Sequence, residues 1–242
     1  MEVAVRAPAQ TVWRALRDPA ELSRWFGWDA EGLAEEIEEI FVAHAIADDE
    51  ARTLRFDDIP DRFEVEPRGA DESVLRLHGT PPAGDAYDGM HEGWATFVAQ
   101  LRFALERHPG EERRTLYLTG SAPAPETPTV MEALGLEQLR SSPVGDDYEV
   151  RGADGAVSLS GQLWARSARQ TAITVGGGTG LLVAAELPAD ARPPHGGATA
   201  LITSYGLDDD EFARVRHSWT AWWQARYSGA TATVFPEPAS DV

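Results

Sequence analysis

Residues 88–108, DGMHEGWATFVAQLRFALERH, and residues 208–227, DDDEFARVRHSWTAWWQARY, close two similar runs of sequence. Each follows a series of short alternating segments, and each reads as a long amphipathic helix. Trp94 and Phe97 in the first correspond, at the same spacing, to Trp219 and Trp222 in the second. A repeat on this scale bears on the fold before any local feature does. It implies an α+β chain of two similar units, each an antiparallel sheet closed by a long C-terminal helix with aromatics on one face. A curved sheet with a helix across it leaves a space whose filling depends on side-chain size.

The 242 residues suffice for two such units, at about 100–150 residues each. No apolar run approaches the roughly 20 residues that span a bilayer, and the N-terminus has no secretory pattern. A cytoplasmic location is the default expectation. The sequence has no cysteine, which removes disulfides, thiolate metal ligands and a cysteine nucleophile. All 21 basic residues are arginine. Without lysine there is no Schiff-base lysine and no phosphate-loop lysine. The net charge of −19 argues against general nucleic-acid binding and against anionic membrane surfaces. No metal or cofactor is called for.

In the first unit, Glu2–Arg6 reads as a strand and Val12, Trp13 and Leu16 as one face of a helix. Asp18-Pro19 starts a second helix carrying Leu22, Trp25, Phe26 and Trp28, since proline suits a first helical turn. A third helix is predicted over 31–45, capped by Asp29, with its glutamates as a solvated face. Strands follow at 51–56, 62–65 and 73–77, divided by Pro- and Gly-bearing turns. The domain boundary falls after His108-Pro109-Gly110, giving units of 1–110 and 113–229 and a loose tail of 230–242, in which Val234 and Phe235 are candidates for packing. In the second unit, strands are expected at 114–119, 148–151, 157–166, 171–175, 181–187 and 198–205. Thr127-Pro128 caps a short helix, and Asp208 with Glu211 forms a capping box. The glycine run 176–180 has no following helix and no lysine, so it reads as a hairpin turn. Asp208–Glu211 reads as helix-start acids rather than a calcium loop.

The order VWRALRDPAELSRWFGW (12–28) followed by EGWATFVAQLRFAL (92–105) resembles the START/Bet v1-like helix-grip (SRPBCC) superfamily, and within it the branch of the Aha1 C-terminal domain and calicheamicin-resistance proteins. The likeness covers nearly all of 1–108 and, more weakly, 114–134 and 157–227. It implies a tandem of helix-grip domains, each with a cavity between sheet and long helix. Members bind hydrophobic molecules, some are cyclases or lyases, and others bind chaperones. The Arg-only, Asn-free composition suits a GC-rich, actinobacterial origin, where such proteins serve natural-product carriage, biosynthesis or self-resistance, enediyne pathways included. The second unit lacks a counterpart of Trp25-Phe26, so one ligand unit and one filled companion are expected.

The pocket candidates in the first unit are Trp25, Phe26 and Trp28 as a lid, Trp94, Phe97, Val98 and Leu101 on one helix face, and Phe56, Phe63, Leu75 and Leu77 on the opposing strands. Val65 belongs with those strands. The second-unit candidates are Tyr205, His217, Trp219 and Trp222. The polar candidates for chemistry are His91, Glu92 and His78; a histidine one turn before Trp94 could hydrogen-bond a ligand or act as a general base. No serine-nucleophile motif is present. Three readings stay open: a binder of a hydrophobic, aromatic, polyketide-like small molecule; a co-chaperone-like interaction protein; and a cyclase- or lyase-type enzyme using His91 or Glu92. The missing catalytic constellation places the binder ahead of the enzyme.

Overall fold

A computed structural model describes residues 1–57, 59–79, 87–151 and 158–233. The chain is α+β, with two antiparallel sheets, one from each half. Strands β1 (Glu2–Val5), β2 (Ala45–Asp48), β3 (Thr53–Phe56), β4 (Arg62–Pro67) and β5 (Ser73–His78) form the first, in the order β1-β5-β4-β3-β2. Strands β6 (Arg113–Ser121), β7 (Asp147–Arg151), β8 (Ser158–Arg166), β9 (Gln170–Val175), β10 (Gly180–Leu187), β11 (Gly197–Tyr205) and β12 (Ser228–Thr233) form the second, in the order β12-β6-β11-β10-β9-β8-β7.

Short helices α1 (Ala9–Ala15) and α2 (Pro19–Leu22) precede α3 (Leu33–Ile37). Asp18 caps α2 through the Ala20 amide, and Pro19 opens it. The long helix α4 (Gly89–Arg107) starts at Asp88, whose carboxylate accepts from the amides of Met90 and His91. In the second half, α5 (Val130–Ala133) is followed by α6 (Asp209–Gln224), whose capping box joins Asp208 and Glu211. The glycine run 176–180 does turn β9 into β10.

The layering departs from two side-by-side units. One core holds the inner face of the first sheet, α1, α4, and Trp164, Ala172, Leu181, Val183 and Tyr205 from one face of the second sheet. The other core holds the opposite face of that sheet, with Leu116, Leu118, Ile173 and Leu182, under α5 and α6. Helix α4 therefore lies between the two sheets. Strand β9 is buried at every position, because one of its faces joins the core around α4 and the other joins the second core.

Four local expectations are corrected. The helix predicted over 31–45 runs only from Leu33, widens into a π-helical segment at Glu38–Ala43, and gives way to β2. Pairing with β3 outcompetes helical periodicity there. Asp29 does not cap α3; the N-cap is Gly32. Asp29 instead accepts from the Thr115 amide at 2.7 Å and its own amide donates to the Thr115 hydroxyl, across the two halves. Thr129, not Thr127, caps α5, in a capping box with Glu132. The stretch 228–233 is not loose: it adds β12 to the edge of β6. Val234 and Phe235 lie outside the described residues.

Candidate functional site

Two cavities flank the N-terminal half of α4. The first, of about 620 Å³, lies against the first sheet. Its walls are mostly aromatic and aliphatic: Phe26, Ile40, Phe56, Ile59, Trp94 and Phe97, with Met90 and the Gly89 and Gly93 backbone from α4. Glu36, Glu39 and His44 stand around it, from α3 and the π-helical segment. The His44 ring faces the Glu39 carboxylate at 3.2 Å. Trp94 is the anchor. Its indole N–H donates to Asp61 at 2.8 Å, which satisfies the polar edge and leaves the ring for packing. Phe56 stacks on it at 5.7 Å, while Phe63 and Phe41 meet it edge-on. Phe26 packs on Phe97 at 4.8 Å.

The second cavity, of about 330 Å³, lies between α4 and the second sheet. Trp28 and Tyr117 stack at 4.2 Å on its wall, with Val183, Leu187 and Leu201 beyond. Its polar groups are Glu92, Thr96, Gln170, Thr199 and Arg192. Glu92 is 7% exposed. Its Oε2 accepts from the Ser167 hydroxyl at 2.8 Å, and its carbonyl accepts from the Gln170 amide. Gln170 in turn accepts from Thr96 at 2.7 Å. Burial pushes the phenols of Tyr87 and Tyr117 above the usual tyrosine value; the Arg192 charge opposes both shifts, and the Glu92 charge adds to that of Tyr87.

A polar seam holds the two halves in register beside these cavities. Arg113 is 8% exposed and donates to the carbonyls of Ser23, Phe26 and Gly27 and to Gln100. Gln100 donates to the Gly27 carbonyl and accepts from Thr203 at 2.7 Å. The segment 26–28 is thereby fixed over α4, with Phe26 turned to the first cavity and Trp28 to the second.

Of the residues singled out in the sequence, Phe26, Phe56, Trp94 and Phe97 line the first cavity. Trp28, Glu92 and Phe97 line the second. Trp25, Phe63, Val65, Leu75, Leu77, Val98 and Leu101 are buried in the core; the Trp25 indole donates to the Ala15 carbonyl, so it is a structural brace and not a lid. His78 sits on the outside of β5, paired with Glu64 at 2.9 Å. His91 faces a separate depression formed with Met1, Glu2 and Ala168, away from Trp94. The second-unit candidates are not brought together. Tyr205 faces α4 and stacks on His108 at 4.3 Å, whereas Trp219 and Trp222 lie half-buried on the opposite face and His217 is exposed. Strand alternation puts Tyr205 on the α4 side. The fully buried tryptophan of α6 is Trp223, which packs on Tyr227 over Gly120.

Sequence reading missed Ile40, His44, Tyr117, Gln170 and Arg192. The available signal was the unbroken apolar run Leu181–Ala185, which means a strand covered on both faces. Among the described residues no group of three or more histidine, aspartate or glutamate side chains could hold a metal ion. No helix among them is long and apolar enough to cross a membrane.

These features define an α+β protein in which a helix is held between two antiparallel sheets with a cavity on either side. Comparison with protein-family models and with curated proteins finds no match to this chain. Among solved structures it is similar to the di-domain ARO/CYC BexL from the BE-7585A biosynthetic pathway, at 15% identity and TM-score 0.33, covering 94% of this chain and 97% of that one. It is similar to the di-domain ARO/CYC StfQ from the steffimycin biosynthetic pathway, at 10% identity and TM-score 0.34, covering 89% and 86%. It is also similar to DynU16, described as a putative protein in the dynemicin biosynthetic locus, at 18% identity and TM-score 0.26, covering 92% and 93%. All three TM-scores lie below 0.5, so the functional reading rests on the cavities.

Proposed function

We propose that the protein binds a hydrophobic, aromatic small molecule of polyketide type in the cavity beside Trp94. The observation that carries this reading is the aromatic lining: Phe26, Phe56, Trp94 and Phe97 surround a space of about 620 Å³, within the size range of small-molecule sites. Ring faces and edges of this kind suit a flat, fused-ring ligand. Burying about 300 Å² of apolar ligand surface offers roughly 7 kcal/mol gross at about 25 cal/mol per Å², equal to a dissociation constant of about 10 μM before the cost of association is subtracted.

The same reading takes residues 1–110 and 113–229 as two helix-grip units, with β12 extending the second sheet. The ligand unit is the first; in the second, Trp223 and Tyr227 occupy the space under α6. Binding is favoured over catalysis because neither His78 nor His91 lines either of the two cavities. Carriage or self-protection in natural-product biosynthesis is the role that fits such a binder.

Titration with anthraquinone, followed by quenching of tryptophan fluorescence, tests this. Saturable quenching with one site per chain, weakened by Trp94→Leu, is the expected result. No saturation up to the solubility limit of the probe overturns the reading.

A further inference from the structure

We infer that the two cavities are compartments of one site, and that its ligand is a fused-ring aromatic molecule with an anionic end held by Arg192. This deepens the proposed function and rests on it.

The residues shared by both linings are Gly89, Gly93 and Phe97. They recur every four residues, so they form one ridge along α4. Met90 and Trp94 lie on one flank of that ridge, toward the aromatic cavity, and Glu92 and Thr96 lie on the other, toward the second sheet. Farther along, the ridge is covered, since Gln100 bonds the Gly27 carbonyl. At its N-terminal end it is low. A Cβ added at Gly93 would meet nothing within 4 Å. A helix interior costs glycine about 1 kcal/mol relative to alanine, and here the missing side chain leaves a saddle between the two spaces.

The compartments differ in chemistry. The first is aromatic. The second has a stacked Trp28–Tyr117 wall, the buried Glu92 carboxylate and the Arg192 guanidinium. Among the described residues Arg192 makes no side-chain hydrogen bond or ion pair, with Glu92 or any other group. Among the described residues Glu92 has no cationic partner either, and of its two carboxylate oxygens only Oε2 has a hydrogen bond, from Ser167. Opposite charges in one small cavity that do not neutralise each other are each available to a ligand. Arg192 suits a carboxylate or an enolised carbonyl. Glu92 accepts from a hydroxyl, which fixes how the ring system lies. A flat molecule with its rings against Trp94 and Phe97 reaches over Gly93 to place its anionic end at Arg192.

The test compares anthraquinone-2-carboxylic acid with its methyl ester, which keeps the rings and removes the charge. The wild-type protein is expected to bind the acid about tenfold more tightly than the ester, the lower end of what a charge-assisted hydrogen bond contributes. Arg192→Ala is expected to bring the ratio of the two dissociation constants to about one, and Arg192→Lys to restore part of it. Gly93→Leu, which raises the saddle without touching the charge, is expected to abolish the ratio as well. Equal binding of acid and ester by the wild type, or an acid preference that survives Arg192→Ala, overturns the inference and leaves the aromatic-binder reading standing. An acid preference that survives Gly93→Leu overturns the continuity of the two compartments. Binding of neither probe removes the aromatic-binder reading itself, and the inference with it.

Discussion

Thr203 donates its hydroxyl hydrogen to Oε1 of Gln100 at 2.7 Å, and this bond joins the helix of the N-terminal half to an inner strand of the C-terminal sheet. The same oxygen accepts from Arg113 at 3.2 Å, and the Gln100 amide donates to the Gly27 carbonyl at 3.1 Å. Gln100 is fully buried. Gln100→Leu keeps most of the volume but strands the Thr203 hydroxyl and one Arg113 N–H, while the Gly27 carbonyl keeps its bond from Arg113. A buried unsatisfied group costs about 1–3 kcal/mol, so a loss of about 3 kcal/mol is expected in urea titration. A loss below about 1 kcal/mol would show that the seam does not hold the halves together.

Because one core draws on both sheets, the described chain should unfold as a single cooperative unit. Tryptophan fluorescence and far-ultraviolet circular dichroism should report coincident urea midpoints. Two separated transitions would mean that each half is stable without the other.

Asp29 sets a pH dependence whose sign is opposite to that of most carboxylates. Burial raises its affinity for a proton above the usual value of 3.8, and this outweighs the opposing Arg113 charge. The folded state then holds the proton more tightly than the unfolded chain. Its stabilising contribution is fully present below pH 3.8 and is lost as pH rises through the raised value. Asp29→Asn mimics the protonated form. The stability of the wild type relative to this variant should fall between pH 4 and pH 7 in parallel urea titrations; a constant or rising difference contradicts it.

Gly120 leaves room for the aromatic pair of the second unit. A Cβ there would lie 2.5 Å from the Cβ of Tyr227 and 3.1 Å from the Trp223 indole nitrogen. Gly120→Ala should destabilise by about 1–3 kcal/mol through overpacking, read as a lower thermal midpoint. A neutral result would mean that the α6 end moves freely on β6.

Ile40 is half-buried and shares the lining of the first cavity with Trp94. Ile40→Trp should fill part of the space and weaken anthraquinone binding at least tenfold. The added side chain enters a void, so the thermal midpoint should stay within about 3 °C, a change of under about 1 kcal/mol. Unaltered binding by a folded variant would place the ligand elsewhere.

The sequence alone carried the elements and their order. Alternation marked ten of the twelve strands among the described residues, Asp88 and the Asp208–Glu211 pair marked the starts of the long helices, and the glycine run 176–180 marked a hairpin. These are local encodings: a period, a cap or a turn is set by neighbours a few residues away. They also gave the aromatic face of α4 and so two of the four rings that line the first cavity, Trp94 and Phe97. Tertiary structure decided what the faces meet. The β2 segment 45–48 begins where the helical reading of 31–45 ends, and it is a strand because β3 offers hydrogen bonds. Trp25 and Trp28 are three residues apart on one short stretch, yet the first is sealed in the core and the second stacks on Tyr117 of the other half. Trp219 and Trp222 match Trp94 and Phe97 in spacing, yet Trp223 is the one that inserts. Apolar spacing says that a face is buried but not against what, since the hydrophobic effect is non-directional. The position of α4 between two sheets, and with it the second cavity and Arg192, arises from contacts between residues far apart in the chain, such as Trp94 with Phe63 and Thr96 with Gln170.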